Sequence, residues 1–106
     1  MAADTTLIIL GASGDLTSRL LLPALGQLLS REPKRSVRLH GAGMEDWTDE
    51  HWREVVRKAF QTMDADSAFA AVSDTTYSQA DITKADDLQK LLDDAEGRPA
   101  LYFAVP

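Results

Sequence analysis

The sequence contains no cysteine, which excludes disulfides and thiolate metal sites. Its two histidines, His40 and His51, have no cluster of further ligands around them, so a metal centre is not expected. Positive charge is also scarce: 11 Lys and Arg stand against 17 Asp and Glu, for a net charge of −6. Nucleic-acid binding normally rests on a basic face, and this balance argues against it. No apolar run approaches the roughly 18 residues of a membrane span. No basic n-region opens the chain, and Asp4 precedes an apolar run only a strand long, so no secretory signal is expected. A soluble, cytoplasmic protein with neither membrane nor nucleic acid among its partners is expected.

What is present is a core and one informative turn. A hydrophobic fraction of 44% over 106 residues suits one globular domain. The run Leu7-Ile8-Ile9-Leu10 stops abruptly at Gly11-Ala12-Ser13-Gly14, and a leucine-rich helical pattern follows. Continuous apolar character marks a parallel strand covered on both faces. Glycines let the backbone turn tightly and approach a ligand with no Cβ in the way. The helix that follows aims its free N–H groups and positive dipole end at whatever lies above the turn. Strand, glycine turn and helix N-terminus together form a site for a dinucleotide pyrophosphate.

Periodicity extends the pattern along the chain. A strand over Thr5–Leu10 leads into a helix over residues 15–30, with Leu21, Leu25, Leu28 and Leu29 on one stripe and a kink at Pro23. Residues 31–35 form a polar connection. Residues 36–41 alternate as a second strand. Thr48 is placed to cap a helix whose buried face carries Trp52, Val55, Val56, Ala59, Phe60 and Met63. Residues 64–74 are compatible with a short helix, and residues 75–80 with a polar third strand. Thr83, with Asp86 three residues on, predicts a capped helix striped by Leu88, Leu91, Leu92 and Ala95, ending with Gly97 at its C′ position. Residues 100–105 form a last strand. The alternation predicts an α/β fold, a Rossmann-like parallel sheet with helices on both faces. About four strands fall short of the six of a full dinucleotide fold, and no helix follows the last one. The chain is therefore expected to be the N-terminal dinucleotide-binding domain, or most of it, of a longer protein.

The individual motifs carry alternative readings. Gly11-Ala-Ser-Gly14 departs from G-x-G-x-x-G, with Thr17 three residues on where a glycine would stand; its alternative is a plain strand-to-helix turn. Ser13 can donate to a phosphate oxygen or cap the helix. On charge alone, Asp15 compensates the helix dipole and has no phosphate role. The second strand ends where an adenine ribose lies in such folds, and it runs into Met44, Glu45 and Asp46 with no Arg or Lys before Arg53. These carboxylates either meet the ribose hydroxyls or are solvated loop residues. Asp81, at the end of the third strand, either binds an adenine amino group or forms a turn before Thr83. Trp47 and Trp52 read as core or loop anchors.

The segment from Gly11 to Leu25, reading Gly-Ala-Ser-Gly-Asp-Leu-Thr-Ser-Arg-Leu-Leu-Leu-Pro-Ala-Leu, resembles the opening of the glucose-6-phosphate dehydrogenase family. The likeness continues through Gly41-Ala-Gly-Met-Glu-Asp-Trp47, Val55-Val56-Arg57-Lys58-Ala59, Asp81-Ile82 and Tyr102-Phe-Ala-Val-Pro106. It implies an enzyme that oxidises glucose 6-phosphate at C1 to 6-phosphogluconolactone in the pentose phosphate pathway, with hydride passing to NAD or NADP. The full-length enzyme would be a homo-oligomer. By the same resemblance, Gly11, Ala12, Ser13, Gly14, Asp15 and Leu16 carry the dinucleotide phosphates. Asp81 and Ile82, with Ala104 and Val105, line the adenosine and nicotinamide sides of the cleft.

Two departures from the family pattern matter. Relatives usually hold an arginine for the 2′-phosphate where this chain has Met44, followed by Glu45. NAD, or little discrimination between coenzymes, is therefore expected. The family's histidine base, its substrate-phosphate lysine and histidine, and its large sheet domain have no counterpart among these residues, so no catalytic residue is assigned and the chain alone is expected to be inactive. Two other readings of the glycine turn are a short-chain reductase or epimerase and a non-catalytic nucleotide-binding module. The first would want a glycine near position 17, where Thr17 stands.

Overall fold

The apolar run after Thr5 forms the central strand, β1 (Thr5–Leu10), of the computed structural model, which describes residues 5–32, 37–95 and 97–104. β2 (Val37–Gly43), β3 (Thr76–Gln79) and β4 (Arg98–Phe103) complete one sheet in the order β3-β2-β1-β4. All three pairings are parallel, with Thr5 opposite Val37 on one side and Arg98 on the other. Parallel strands need crossover connections, and three helices supply them: α1 (Leu22–Arg31), α2 (Asp49–Gln61) and α3 (Ala85–Asp94).

The helices divide between the two faces, as the element alternation predicts. On one face Ile9 and Leu39 of the sheet pack with Leu22, Leu25 and Leu29 of α1 and with Trp52, Val56 and Phe60 of α2. A 3-10 helix, Asp66–Val72, closes that layer with Ala68 and Val72. On the other face Ile8, Leu10, Ala42 and Ala80 meet Leu91 of α3, with Ile82 and Leu88 alongside. That second layer is much the smaller. β4 forms an edge, and Leu101, Tyr102 and Phe103 stay exposed to about half their surface.

The first helix differs from its predicted form. Helical residues begin at Asp15, pass through a π-helical turn at Thr17–Leu21 and continue as α1. A proline removes one donor and its ring crowds the carbonyl four residues back. One extra residue in the turn, with Leu22 N–H donating to Thr17 O, relieves that clash. The predicted kink at Pro23 takes this form. It also shifts the stripe: Leu22, Leu25, Gly26 and Leu29 are buried, Leu21 is half-buried and Leu28 is exposed.

Other boundaries move by one or two residues. β2 continues to Gly43, two residues past its predicted end. β3 is shorter than residues 75–80, and β4 starts and stops earlier than residues 100–105. Thr48 caps α2 as predicted, accepting from His51 N–H at 3.0 Å. Met63 lies beyond α2 and is exposed, so it leaves the predicted buried face. Lys84, not Thr83, is the N-cap of α3, because the Thr83 hydroxyl donates to Asp81 instead. Asp87, not Asp86, completes that corner by accepting from Asp81 N–H at 2.8 Å. Gly97 does take a positive φ of 69°, two residues past the Ala95 C-cap instead of directly after it. Val105, Ser36 and residues 33–35 of the predicted connection lie outside the described residues.

Candidate functional site

β1 is joined to β2 through α1 on one face, whereas α3 returns the chain across the other face to place β4 on the opposite side of β1. A crevice opens where such connections diverge, beyond the C-terminal ends of the strands. Here it lies between the turn after Leu10 and Ala104, whose N–H donates to Leu10 O at 2.7 Å.

The turn is built around Gly11. Its φ of 88° belongs to the left-handed region that a side chain resists. Gly11 N–H and Ala12 N–H both donate to Ala42 O, at 2.8 and 2.9 Å, anchoring the turn to β2. Gly14 N–H then donates back to Gly11 O at 2.9 Å. The same carbonyl accepts the Thr17 hydroxyl at 3.1 Å. Thr17 is completely buried, so it fills by side-chain packing and a hydrogen bond the place where a third glycine would give close backbone contact.

Beyond the turn, Gly14, Asp15 and Leu16 are exposed at the mouth of an open groove of about 400 Å³. Arg19, Leu20 and Ala104 complete its walls. Helix N–H groups and the positive dipole end face this space, which favours an anion. The Asp15 carboxylate accepts from the Arg19 guanidinium at 2.8 Å. That bond and charge hold Arg19 above its ordinary basicity, and the pair leaves no uncompensated negative charge at the groove. Like-charge repulsion therefore does not exclude Asp15 from a phosphate-binding turn.

One strand over, β2 delivers Met44, Glu45 and Asp46 to the same edge of the sheet, all exposed. Met44 O accepts from Gln79 Nε2 at 3.0 Å and Glu45 O from the Tyr77 hydroxyl at 2.6 Å. Trp47 packs edge-on against His51, with ring centroids 4.5 Å apart, and tilts against Tyr77. Trp52 is buried, its indole N–H donating to Thr75 Oγ1 at 2.8 Å. Both tryptophans are anchors, as their sequence context suggests.

Two strands over, the end of β3 brings Asp81 and Ile82. Asp81 Oδ1 accepts from Thr83 N–H at 2.9 Å and from Thr83 Oγ1 at 2.6 Å. These hydrogen bonds hold its carboxyl below the usual range and build the turn that the local sequence offered as one alternative. Ile82 packs half-buried on the smaller core. Gly14, Asp15, Leu16 and Ala104 thus line one groove. Gly11, Ala12 and Ser13 form the turn that leads into it, with Ala12 buried in the larger core, and Met44–Glu45 and Asp81–Ile82 stand at successive strand ends along the same edge.

Three residues of this edge escape a reading of motifs. Thr17 and Arg19 follow the turn at i+3 and i+5 from Gly14 and were signalled only by their side-chain types. Tyr77 is the single aromatic of a polar strand, a position that alternation places on the face of α2.

A sequence profile described as "Glucose-6-phosphate dehydrogenase, NAD binding domain" matches residues 8–106. The chain is 31% identical over 109 aligned residues to the glucose-6-phosphate 1-dehydrogenase of Dickeya dadantii, covering 94% of this chain and 22% of that protein. It is 41% identical over 56 residues to the enzyme of the same name from Buchnera aphidicola subsp. Schizaphis graminum, covering 52% of this chain and 11% of that one. The chain thus spans about a fifth or less of the length of these curated relatives. The crystal structure of glucose-6-phosphate 1-dehydrogenase from Mycobacterium avium superposes with a TM-score of 0.79 at 23% identity, over 97% of this chain and 24% of that one. A glucose-6-phosphate dehydrogenase solved with its substrate glucose 6-phosphate gives 0.77 at 22% identity, over 100% of this chain and 26% of that one. At such identities the superpositions establish the fold.

Proposed function

This chain belongs to the glucose-6-phosphate dehydrogenase family, and from that premise we propose that it binds a nicotinamide dinucleotide along the C-terminal edge of its sheet. The supporting observation is the Gly11 turn, with φ of 88° and a doubly bonded carbonyl, opening onto a groove at the divergence of β1 and β4. The groove suits a pyrophosphate: Gly14 presents no side chain to it, and the helix beginning at Asp15 aims its N-terminal end there. Gly11, Ala12, Ser13, Gly14, Asp15 and Leu16 hold the phosphates in this reading, with Arg19 offsetting the Asp15 charge. Met44 and Glu45 meet the adenine ribose, Asp81 and Ile82 flank the adenine, and Ala104 and Val105 line the nicotinamide side.

In the whole protein the bound nicotinamide accepts hydride from C1 of glucose 6-phosphate, giving 6-phosphogluconolactone at the first step of the pentose phosphate pathway in the cytoplasm. This chain supplies the coenzyme-binding part, and none of its residues is given a catalytic role. The coenzyme is NAD, or NAD and NADP with little discrimination, because the end of β2 offers an exposed Met44 and two carboxylates. A 2′-phosphate there meets repulsion and no cation from that loop.

Calorimetric titration of the 106-residue chain with NAD and NADP tests both parts. NAD is expected to bind at least as tightly as NADP. A folded chain that binds neither overturns the dinucleotide reading, and a strong NADP preference overturns the coenzyme assignment alone.

A further inference from the structure

Three segments distant in sequence converge beneath the proposed ribose position. Ser13 comes from the glycine turn, Gly43 and Glu45 from the end of β2, and Tyr77 from the middle of β3. A Cβ on Gly43 would stand 2.6 Å from Ser13 Oγ, 2.9 Å from the Tyr77 hydroxyl and 3.1 Å from Ser13 N. Without that atom the turn and the tyrosine tip both press against the β2 backbone. The Tyr77 hydroxyl donates to Glu45 O at 2.6 Å.

Tyr77 itself is held firmly. Its backbone N–H donates to Asp49 Oδ1 at 2.8 Å. Its ring lies against Trp47 and Trp52, with centroids 5.6 and 6.1 Å away. The residue is only 8% exposed, so its ring is a rigid post whose tip alone reaches the loop. Burial raises the phenol above its ordinary pKa, and a hydrogen bond with the Ser13 side chain opposes that rise. The hydroxyl therefore stays protonated near neutral pH and able to donate.

We infer that Tyr77 is a positioning residue that fixes the spacing between the glycine turn and the 44–46 loop, and with it the choice between NAD and NADP. The inference rests on the dinucleotide reading above. In folds of this kind the turn carries the pyrophosphate and the end of the second strand meets the ribose 2′ position. A loop latched at Glu45 O keeps the Glu45 carboxylate at that edge, where it accepts from a 2′-hydroxyl and repels a 2′-phosphate. Released from the latch, Glu45 moves away from the ribose. NAD then loses a partner, and NADP loses a repulsive charge.

The test is Tyr77→Phe, which keeps the ring packing and removes the hydroxyl, in the 106-residue chain shown folded by circular dichroism. NAD and NADP are titrated by calorimetry, and amide hydrogen exchange is followed across residues 44–46 without ligand. The variant is expected to bind NAD roughly 2- to 10-fold more weakly, the scale of one net hydrogen bond. The NAD-to-NADP affinity ratio should narrow, and residues 44–46 should exchange faster. A lowered thermal midpoint with the ratio and the exchange unchanged makes Tyr77 a merely structural residue and overturns the inference alone. A wild-type chain that binds neither coenzyme overturns the dinucleotide reading, and the coenzyme part of the inference falls with it.

Discussion

A single missing carbon lets Trp52 pack closely against β2. A Cβ on Gly41 would fall 2.8 Å from both Cε2 and Cζ2 of that indole and 3.0 Å from the Ala12 Cβ. Trp52 cannot retreat, because it is fully buried and its N–H is bonded to Thr75, whose hydroxyl donates on to Leu39 O. Gly41→Ala is therefore expected to lower stability by about 1–3 kcal/mol, the usual cost of overpacking, measured by urea unfolding. Met44 offers the opposite case, an exposed side chain with room around it. Met44→Arg supplies a cation at the proposed ribose edge and should raise NADP affinity by roughly 3- to 10-fold, the range of a charge-assisted contact at an exposed site, with NAD little affected. Unchanged NADP affinity in a calorimetric titration would count against the ribose assignment of that loop. At this scale the tight turn at Gly11 was legible, since its geometry follows from neighbouring residues. Thr17 and Tyr77 were not, because each acts on a partner that only folding brings near: Gly11 O across the turn, and Glu45 O on another strand.

Helical periodicity foretold the existence of all three α-helices, yet besides carrying the face of α2 too far, to Met63, it misassigned the stripe of the first. Thr17 and Leu22 are both fully buried although five residues apart, a spacing that an α-helix puts on different faces and a π turn puts on one. Period counting assumes 3.6 residues throughout and cannot register the extra residue that Pro23 induces. Leu22→Ala is expected to cost about 2–5 kcal/mol and the exposed Leu28→Ala well under half of that, compared by denaturant midpoint. Equal losses would mean that the predicted stripe was right. On the smaller core's face, His40 sits between β3 hydroxyls, with Nδ1 2.7 Å from Thr76 Oγ1 and Nε2 3.0 Å from Ser78 Oγ. Burial lowers its pKa, while Asp49 and Asp94 act in the other direction. The unfolded chain therefore binds the His40 proton more readily than the folded one. Stability is full above the ordinary histidine value of about 6.5 and declines as pH falls from there through the lower folded value. His40→Gln should flatten that limb of a stability-against-pH curve, and an unaltered slope would exclude His40 as its source.

For the molecule as a whole, strand and helix alternation in the sequence was enough to predict a parallel sheet with helices on both faces. The order β3-β2-β1-β4 was beyond it, because strand adjacency depends on which apolar faces meet, and no short-range pattern records that. Nor did the sequence reveal how unequal the two layers are, with α1, α2 and the 3-10 helix on one side and α3 alone on the other. The position of β1 between β2 and β4 bears finally on time. Its pairing with β2 joins Thr5 to Val37, so it can form while most of the chain is still to be made. Its pairing with β4 joins Thr5 to Arg98 and must close a loop almost as long as the described chain. Such closures come late, because their entropy is spent before their contacts form. A nascent chain leaving the ribosome carries its glycine turn from the outset but has no cleft until Ala104 emerges. The proposed affinity for coenzyme is thus acquired in one step, once β4 and Ala104 have emerged.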